Sequence, residues 1–501
     1  MDATGIVKIV VLSIYALIII VVGLFGMRRT KTFADYFLGG GKVGAIMTAF
    51  TYGTAYFSAV LFIGFAGKIG WGFGLSGLWI TLGNALIGTL LVWWLIGTRI
   101  RRVSAEWGIS TMGEFFEKRY NSKILKFFGA VTIFIFFIPY SAAVFKGLSY
   151  LFTENFGIPF EWAVILIGLF TAVYLVLGGY KSMTLIDLIF GIIMVAGVIT
   201  LLIFTSRAGG GLAQITSDLR EIDPKLVAPV GPPGWWPLLS LFLLTSIAPF
   251  AMPQLVQKFY AIKDEKAIRT GMIASTIFAL LIGGVAYFTG ATTRIFITPE
   301  TAPDVFAGGG LNVDMLMPKI LNTVVPDSLS ILMLLLIMSA SMSTLAALVL
   351  ISSSSVAKDL YAGFFRPGIS DRALTTLTRV MAGFFVMLSV VLAIMNPSTI
   401  VSILGISWGA IGSVFLGPFI WGLFWKKANE FGAVSSAVLG LATCLTLYFT
   451  GTPSPQAGTI GMGVSLVINP LFSLILPNAG RRAPKEIWER HHRDHKSGEK
   501  E

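Results

Sequence analysis

Hydrophobic and polar positions along this chain are patterned on the scale of a lipid bilayer. Apolar runs of roughly 20 residues, each long enough to cross a hydrocarbon core as a helix, are separated by short charged connectors. Only a helix or a closed barrel satisfies the backbone there, so each run is expected to be a helix. Thirteen runs are expected, at about 6–26, 43–66, 75–97, 127–151, 159–177, 184–205, 236–256, 270–293, 328–351, 375–395, 399–424, 431–450 and 460–476. The pattern predicts an all-α polytopic membrane protein, with residues 1–476 as one transmembrane domain and 477–501 as a basic cytoplasmic tail.

Composition supports this reading, because 55% hydrophobic and 12% charged residues leave no large soluble domain. Basic residues concentrate in every second connector. They include Arg28, Arg29, Lys31 and Lys42; Arg99, Arg101, Arg102, Lys118, Arg119 and Lys123; Lys181; Lys258, Lys263, Lys266 and Arg269; Lys358, Arg366 and Arg372; Lys426 and Lys427; and the tail from Arg481. The intervening connectors hold little positive charge, with Lys68 alone in one. The positive-inside rule then places the N-terminus outside and the C-terminus in the cytoplasm of a plasma-membrane protein, and twelve spans would break the alternation. The formal charge of +12 is mostly this bias and calls for no nucleic-acid partner. The first run exceeds a signal-peptide core in length and is followed, not preceded, by its basic residues, so it is expected to stay as a membrane helix.

The lone Cys444 excludes an internal disulfide framework. His491, His492 and His495 all lie in the tail, so no imidazole in the spans can relay protons or bind metal. The spans carry no His-Glu metal motif, acidic pair or cofactor signature, and the tail is too short for an output domain. A transporter is expected rather than an enzyme or a sensor. Its partners would be the bilayer, a small solute and a coupling ion.

Transporters commonly bind cargo at the midplane, where helices broken by Gly or Pro expose backbone dipoles at matching places in two inverted repeats. The second run holds Gly53, Gly64 and Gly67 around residues 53–59, and the seventh holds Pro249 and Pro253. If residues 43–205 and 236–424 are the two repeats of five helices, each begins with a broken one. Alternatively, these residues only reflect the general enrichment of Gly and Pro in membrane helices. No residue-level identity between the halves is detectable, so the repeat rests on topology.

The ninth run contains Ser339-Ala340-Ser341-Met342-Ser343-Thr344. Residues 340, 343 and 344 share a helical face, which offers the Ala340 carbonyl and two hydroxyls. A sodium ion, like other hard cations, takes oxygen ligands. Carbonyls freed at Thr54 and Phe57 in the broken second run could complete its shell. The competing reading is that these hydroxyls bond back one turn, or form a packing face with Ala346 and Ala347. Asp187 is a carboxylate inside a predicted span, and such groups are functional candidates by default. Its alternative is an interfacial pair with Lys181. Lys146 either snorkels to the outer interface or faces a substrate carboxylate.

Several segments resemble the sodium:solute symporter family. They are Tyr36-Phe37-Leu38-Gly39-Gly40, residues 57–64, Gly178-Gly179-Tyr180-Lys181-Ser182 with Asp187, Met342-Ser343-Thr344-Leu345 with Asp359-Leu360-Tyr361, and Leu416-Gly417-Pro418 with residues 422–433. The resemblance implies the leucine-transporter (LeuT) fold, a 5+5 inverted repeat with added helices, working by alternating access. It also implies one sodium, held by the carbonyls of Thr54, Phe57 and Ala340 and the hydroxyls of Ser343 and Thr344. Asp187 matches an acid that influences coupling or joins a second sodium site in some members. Ala346 and Ala347 stand where such members offer hydroxyls, so one sodium per substrate is expected. Phe57, Ser58, Val60, Leu61, Met252, Pro253 and Gln254, with Lys146, are the candidate substrate contacts. They suit a small amino acid such as proline, or a small carboxylate such as pantothenate or a monocarboxylate, better than a sugar. A proton-coupled or sodium-independent carrier using Asp187 or Lys146 is the alternative. The connectors at 206–235 and 294–327 either gate the outer side or cap it.

Overall fold

The computed structural model describes residues 3–29, 32–177, 179–307 and 310–476. Lys31, Gly178, the side chains of Arg28 and Arg29, and the tail with Arg481 and the three histidines lie outside the described residues. Twenty α-helices follow one another: α1 Ala3–Arg29, α2 Phe33–Leu38, α3 Ala45–Tyr56, α4 Ala66–Phe73, α5 Leu78–Ala85, α6 Thr98–Trp107, α7 Met112–Tyr120, α8 Lys123–Phe156, α9 Phe160–Leu177, α10 Tyr180–Ala208, α11 Leu212–Ile222, α12 Trp235–Ile247, α13 Pro253–Ala261, α14 Glu265–Phe296, α15 Leu316–Val324, α16 Asp327–Ser354, α17 Asp371–Met395, α18 Ile400–Phe424, α19 Glu430–Phe449 and α20 Ser454–Ile475.

The polar connectors supply the caps that end these helices. Asp264 accepts from Ala267 N–H at 2.7 Å to start α14, and Asn429 accepts from Gly432 N–H at 2.8 Å to start α19. Asn121, Gly157 and Asn396 close α7, α8 and α17 in the left-handed conformation that Gly and Asn tolerate.

Among the described residues, eleven helices are long and apolar enough to cross a membrane, against the thirteen runs expected. Val60–Trp107 is continuously helical over 48 residues, merging the expected second and third runs, while α9, Phe160–Leu177, is 18 residues long at the place of the expected fifth run. The chain redirects inside that merged stretch at Gly74, whose φ of +60° favours glycine and whose absent side chain leaves room for the Leu226 carbonyl.

Two groups of helices pack internally and meet around the broken segments. In one group α14 lies against α3, α4 and α5, with α12 on α5 and α13 on α3. In the other, α8, α9, α16 and α17 pack against one another. Helices α10 and α18 bridge the groups, and α18, α19 and α20 form a packed trio beside them. Within the first group α4 and α14 approach backbone to backbone. A Cβ on Gly70 would lie 2.0 Å from the carbonyl carbon of Gly290, and one on Gly290 would lie 2.0 Å from the Ala66 oxygen. Small residues permit such contact between membrane helices.

At the face rich in basic connectors, the chain before α3 meets the chain after α13 in a single parallel β-bridge, Val43 to Ile262. Val43 N–H donates to the Ala261 carbonyl at 3.1 Å, and Lys263 N–H donates to the Val43 carbonyl at 3.0 Å. Nearby, Lys358 pairs with Glu114 at 2.8 Å and Thr111 donates to Asp359 at 2.7 Å, joining α7 to the end of the α16 span. At the opposite face the 294–327 connector folds into a short 3₁₀ turn and α15, which packs on α14, α16, α4, α8 and α10.

Candidate functional site

Helix α3 ends at Tyr56 because Phe57 turns to an extended conformation (φ −106°, ψ 96°) and its N–H reaches only the Gly53 carbonyl. Ser58 then caps the next segment, accepting from Val60 N–H at 3.1 Å, and Val60–Phe65 resumes as a wide π-helix. A helix end leaves its last carbonyls without intrahelical donors. Here those of Thr54 and Ala55 point at α16, where the Thr344 hydroxyl lies 3.2 and 3.4 Å away. The same hydroxyl is 3.1 Å from the Ala340 carbonyl, the one-turn back-bond weighed above. Ser343 donates instead to the Thr54 hydroxyl at 2.7 Å, which in turn donates to Phe50 O at 2.8 Å. Thr54, Ala340, Ser343 and Thr344 are all completely buried. The structure thus brings together four of the five expected sodium ligands. Phe57 stands at the same break, but its carbonyl makes no bond to α16. The Ala55 carbonyl and the Thr54 hydroxyl, absent from the expected set, belong to the cluster. A neutral, all-oxygen convergence of this kind suits a hard monovalent cation.

Asp187 on α10 lies beside this cluster, fully buried. The hydroxyls of Ser343 and Thr51 approach it, yet they donate to Thr54 and to the Met47 carbonyl, leaving neither Asp187 oxygen with a hydrogen bond. The charge acting on it is Lys258, not Lys181, which is exposed. Lys258 was counted above among solvated connector residues. It is in fact fully buried in α13, with its ammonium 5.0 Å from the Tyr180 ring centre.

Beyond the break, Tyr56, Phe57, Ser58, Val60, Leu61, Phe65, Asn84, Tyr140, Thr245, Tyr287, Leu404 and Trp408 enclose about 330 Å³ of space between their atoms. Tyr56 stacks on Phe57 at 4.5 Å and on Trp408 at 6.0 Å, building an aromatic wall. The Tyr287 hydroxyl and the Trp408 indole N–H have no hydrogen-bond partner.

Of the expected substrate contacts, Phe57, Ser58, Val60 and Leu61 line this cavity; Met252, Pro253, Gln254 and Lys146 do not. The first three of these four are buried at the start of α13, because the second broken helix resumes below the cavity. Lys146 neither snorkels nor faces the cavity. It forms a buried ion pair with Asp314 at 2.9 Å and donates to the Ser398 carbonyl, while Asp314 also accepts from Ile400 N–H at 3.2 Å. The far wall of the cavity went unread in the sequence. Asn84, a lone amide in an apolar run, was its one visible signal.

An all-helical membrane protein whose broken helix faces an oxygen-lined helix beside an aromatic-walled cavity has the architecture of an ion-coupled secondary transporter. The chain belongs to the sodium:solute symporter family, which its residues 36–440 match. It is 28% identical over 492 residues to the osmoregulated proline transporter OpuE of Bacillus subtilis, covering 96% of each chain. It is 30% identical over 447 residues to the sodium/pantothenate symporter of Escherichia coli, covering 86% of this chain and 89% of the other. Its fold matches a Na⁺-coupled sialic acid symporter solved in a substrate-bound outward-open state, with a TM-score of 0.80 at 20% identity over 95% of this chain and 98% of that one. Mhp1, a nucleobase-cation-symport-1 family transporter in a closed conformation, matches at a TM-score of 0.53 and 12% identity over 88% and 94%. The protein is a multi-pass membrane transporter of LeuT-like fold that couples solute symport to sodium.

Proposed function

We propose that the coupling sodium binds between α3 and α16, on the carbonyls of Thr54, Phe57 and Ala340 and the hydroxyls of Ser343 and Thr344. We further infer that the solute is a small, largely apolar amino acid or carboxylate of the proline, pantothenate or short monocarboxylate class. The observation that carries this reading is the α3 break. It turns the Thr54 and Ala55 carbonyls toward Thr344 and, within five residues, supplies Phe57, Ser58, Val60 and Leu61 to the cavity. The relatives named for proline and pantothenate transport favour the same class. Aromatic walls suit an apolar body, and the few polar groups suit a single charged end rather than a ring of sugar hydroxyls. Lys146 is neutralised by Asp314, so the carboxylate is received by Ser58, the helix start behind it, and the Tyr287 and Trp408 donors.

Sodium drawn between the two helices holds the group containing α3 in register with the group containing α16. Solute closing on Phe57 and Trp408 then completes the bridge, and one group rocks against the other. With the N-terminus outside and residues 43–205 and 236–424 as the inverted repeats, the basic face is cytoplasmic and uptake runs toward it. One charge crossing 100 mV is worth about 2.3 kcal/mol, enough for roughly 40-fold accumulation before the sodium gradient is counted. The test is uptake of labelled proline, pantothenate and short monocarboxylates into proteoliposomes, beside the Ser343→Ala/Thr344→Ala variant. Sodium-driven uptake lost in the variant supports the assignment. Uptake indifferent to sodium or to the variant overturns it and favours Asp187 as the coupling group.

A further inference from the structure

Helix α1 leans on α10, α9 and α16 and leaves a gap toward the foot of α3, at the basic face. The gap is a cavity of about 420 Å³, walled by α1, by the chain from Gly39 to Met47 and by the first turns of α10. It shares no lining residue with the aromatic-walled cavity. Val22, Phe25, Met47 and Leu185 make it apolar, and Val21, Phe25 and Leu185 are exposed on the surface that the α1 span presents to the bilayer. Lys181 precedes Leu185 by one helical turn and Lys42 precedes Met47 by a similar step, so the charges stand at the outer edge of the apolar wall. Both lysines are exposed, none of the lining residues is acidic, and among the described residues neither lysine joins an ion pair. Helices α3 and α10 both start at this edge, each with glycine at the cap position and no side chain bonded to its first turn. Their first N–H groups therefore lack helix partners and give each start a partial positive charge. Ser182 lines the same wall. It is only 3% exposed, and its hydroxyl has no hydrogen-bond partner, whereas the neighbouring Thr184 hydroxyl already donates to the Lys181 carbonyl at 3.0 Å.

We propose that this cavity binds one anionic phospholipid from the leaflet at the basic face, its phosphate received by Lys42, Lys181 and the Ser182 hydroxyl and its acyl chains laid along Val22, Phe25, Met47 and Leu185. Two ammonium groups without counter-ions, two uncapped helix starts and a buried hydroxyl without a partner form a donor set for a phosphate. A free phosphate would use only that edge and leave the apolar wall uncovered, whereas a phospholipid carries an apolar body attached to the anion. A zwitterionic lipid brings its own cation up to the lysines, so a headgroup of net negative charge is selected. Val43, which makes the bridge to Ile262, also lines the cavity. The bound lipid thus fills the gap between α1 and the rest of the protein at the foot of the broken helix.

The experiment is native mass spectrometry of the purified full chain, titrated with phosphatidylglycerol, phosphatidylcholine or inorganic phosphate. The native protein is expected to retain one phosphatidylglycerol at least about tenfold more tightly than phosphatidylcholine. Lys42→Gln/Lys181→Gln, which alters only exposed side chains, is expected to lose at least about tenfold of that affinity, and Ser182→Ala at least about threefold. Lys266→Gln/Arg269→Gln, exposed at the basic face but outside the cavity, is expected to stay within about twofold of native. Equal retention of the two lipids overturns the proposal. An equal loss in the Lys266/Arg269 variant overturns it too, by marking a general attraction of the basic surface. Inorganic phosphate that displaces the lipid at comparable concentration marks a soluble-anion site and likewise overturns it. If the lysine variant is not recovered folded, Ser182→Ala decides, and native affinity there overturns the assignment.

Discussion

Replacing Thr344 by alanine removes the one hydroxyl on which the α3 and α16 oxygens converge. In the structure that hydroxyl sits 3.2 Å from the Thr54 carbonyl, 3.4 Å from that of Ala55 and 3.1 Å from that of Ala340. Alanine therefore deletes the proposed sodium ligand and also removes the one O–H within reach of two buried carbonyls at the end of α3. A polar contact to a charged group is worth about 1.5–3 kcal/mol, so the sodium concentration for half-maximal uptake should rise roughly 10- to 150-fold. Thr344→Ser keeps the oxygen and should stay within about threefold of native. The assay is initial uptake in proteoliposomes titrated with sodium at saturating solute, normalised to inserted protein. Solute KM at saturating sodium serves as the control, because Thr344 does not line the cavity. A sodium half-saturation within about twofold of native in Thr344→Ala would refute the ligand assignment.

Three further outcomes follow from the packing and the charges. Lys146→Met leaves Asp314 buried and unpaired and should cost about 3–5 kcal/mol, whereas Lys146→Met/Asp314→Leu should be far milder. Melting in detergent measures both, and solute-dependent uptake retained by the double variant would confirm that Lys146 is no substrate ligand. Gly290→Val drives a side chain into the Ala66 carbonyl and should destabilise by at least about 1–3 kcal/mol, so an unchanged Tm would contradict the α4–α14 approach. On the basic face, burial raises the Glu114 carboxyl, but Lys358 and Ser110 outweigh it and hold the group below its ordinary value of 4.5. The stability it contributes is thus complete above that value and lost as pH falls through the lower folded one. A melting curve that weakens in that acidic window in the native protein but not in Glu114→Gln would bear this out, and parallel curves would not.

What the sequence revealed was set by how local each signal is. The α3 break shows because Gly53 and the residues after it interrupt one run, and the face of Ala340, Ser343 and Thr344 shows because helical spacing alone puts them together. The far wall of the cavity is different. Asn84, Tyr140, Thr245, Tyr287 and Trp408 come from five helices, and their common direction is decided only when the two helix groups meet. Lys146 was misread because Asp314 belongs to a connector, which sequence patterning treats as solvated, although here it folds back over the core. Lys258 was misread for the same reason in reverse, since a lysine near the end of an apolar run looks like a positive-inside marker whether it leaves the membrane or stays within it. A count of spans is hardest to read where helix geometry continues through a change of direction, as it does past Gly74.

The Val43–Ile262 bridge has a consequence for how this protein would look in a mutational survey. Two backbone hydrogen bonds tie the chain just before the broken helix α3 to the end of α13, so that displacing one pulls the other. Because those bonds use no side chain, exchanging Val43 or Ile262 for most residues would leave the tether whole, and the positions would score as tolerant. Proline at position 43 would remove the N–H that reaches the Ala261 carbonyl, and proline at position 263 the one that reaches the Val43 carbonyl, each cutting one of the two bonds. A joint between the two broken helices would thus remain hidden from alanine scanning.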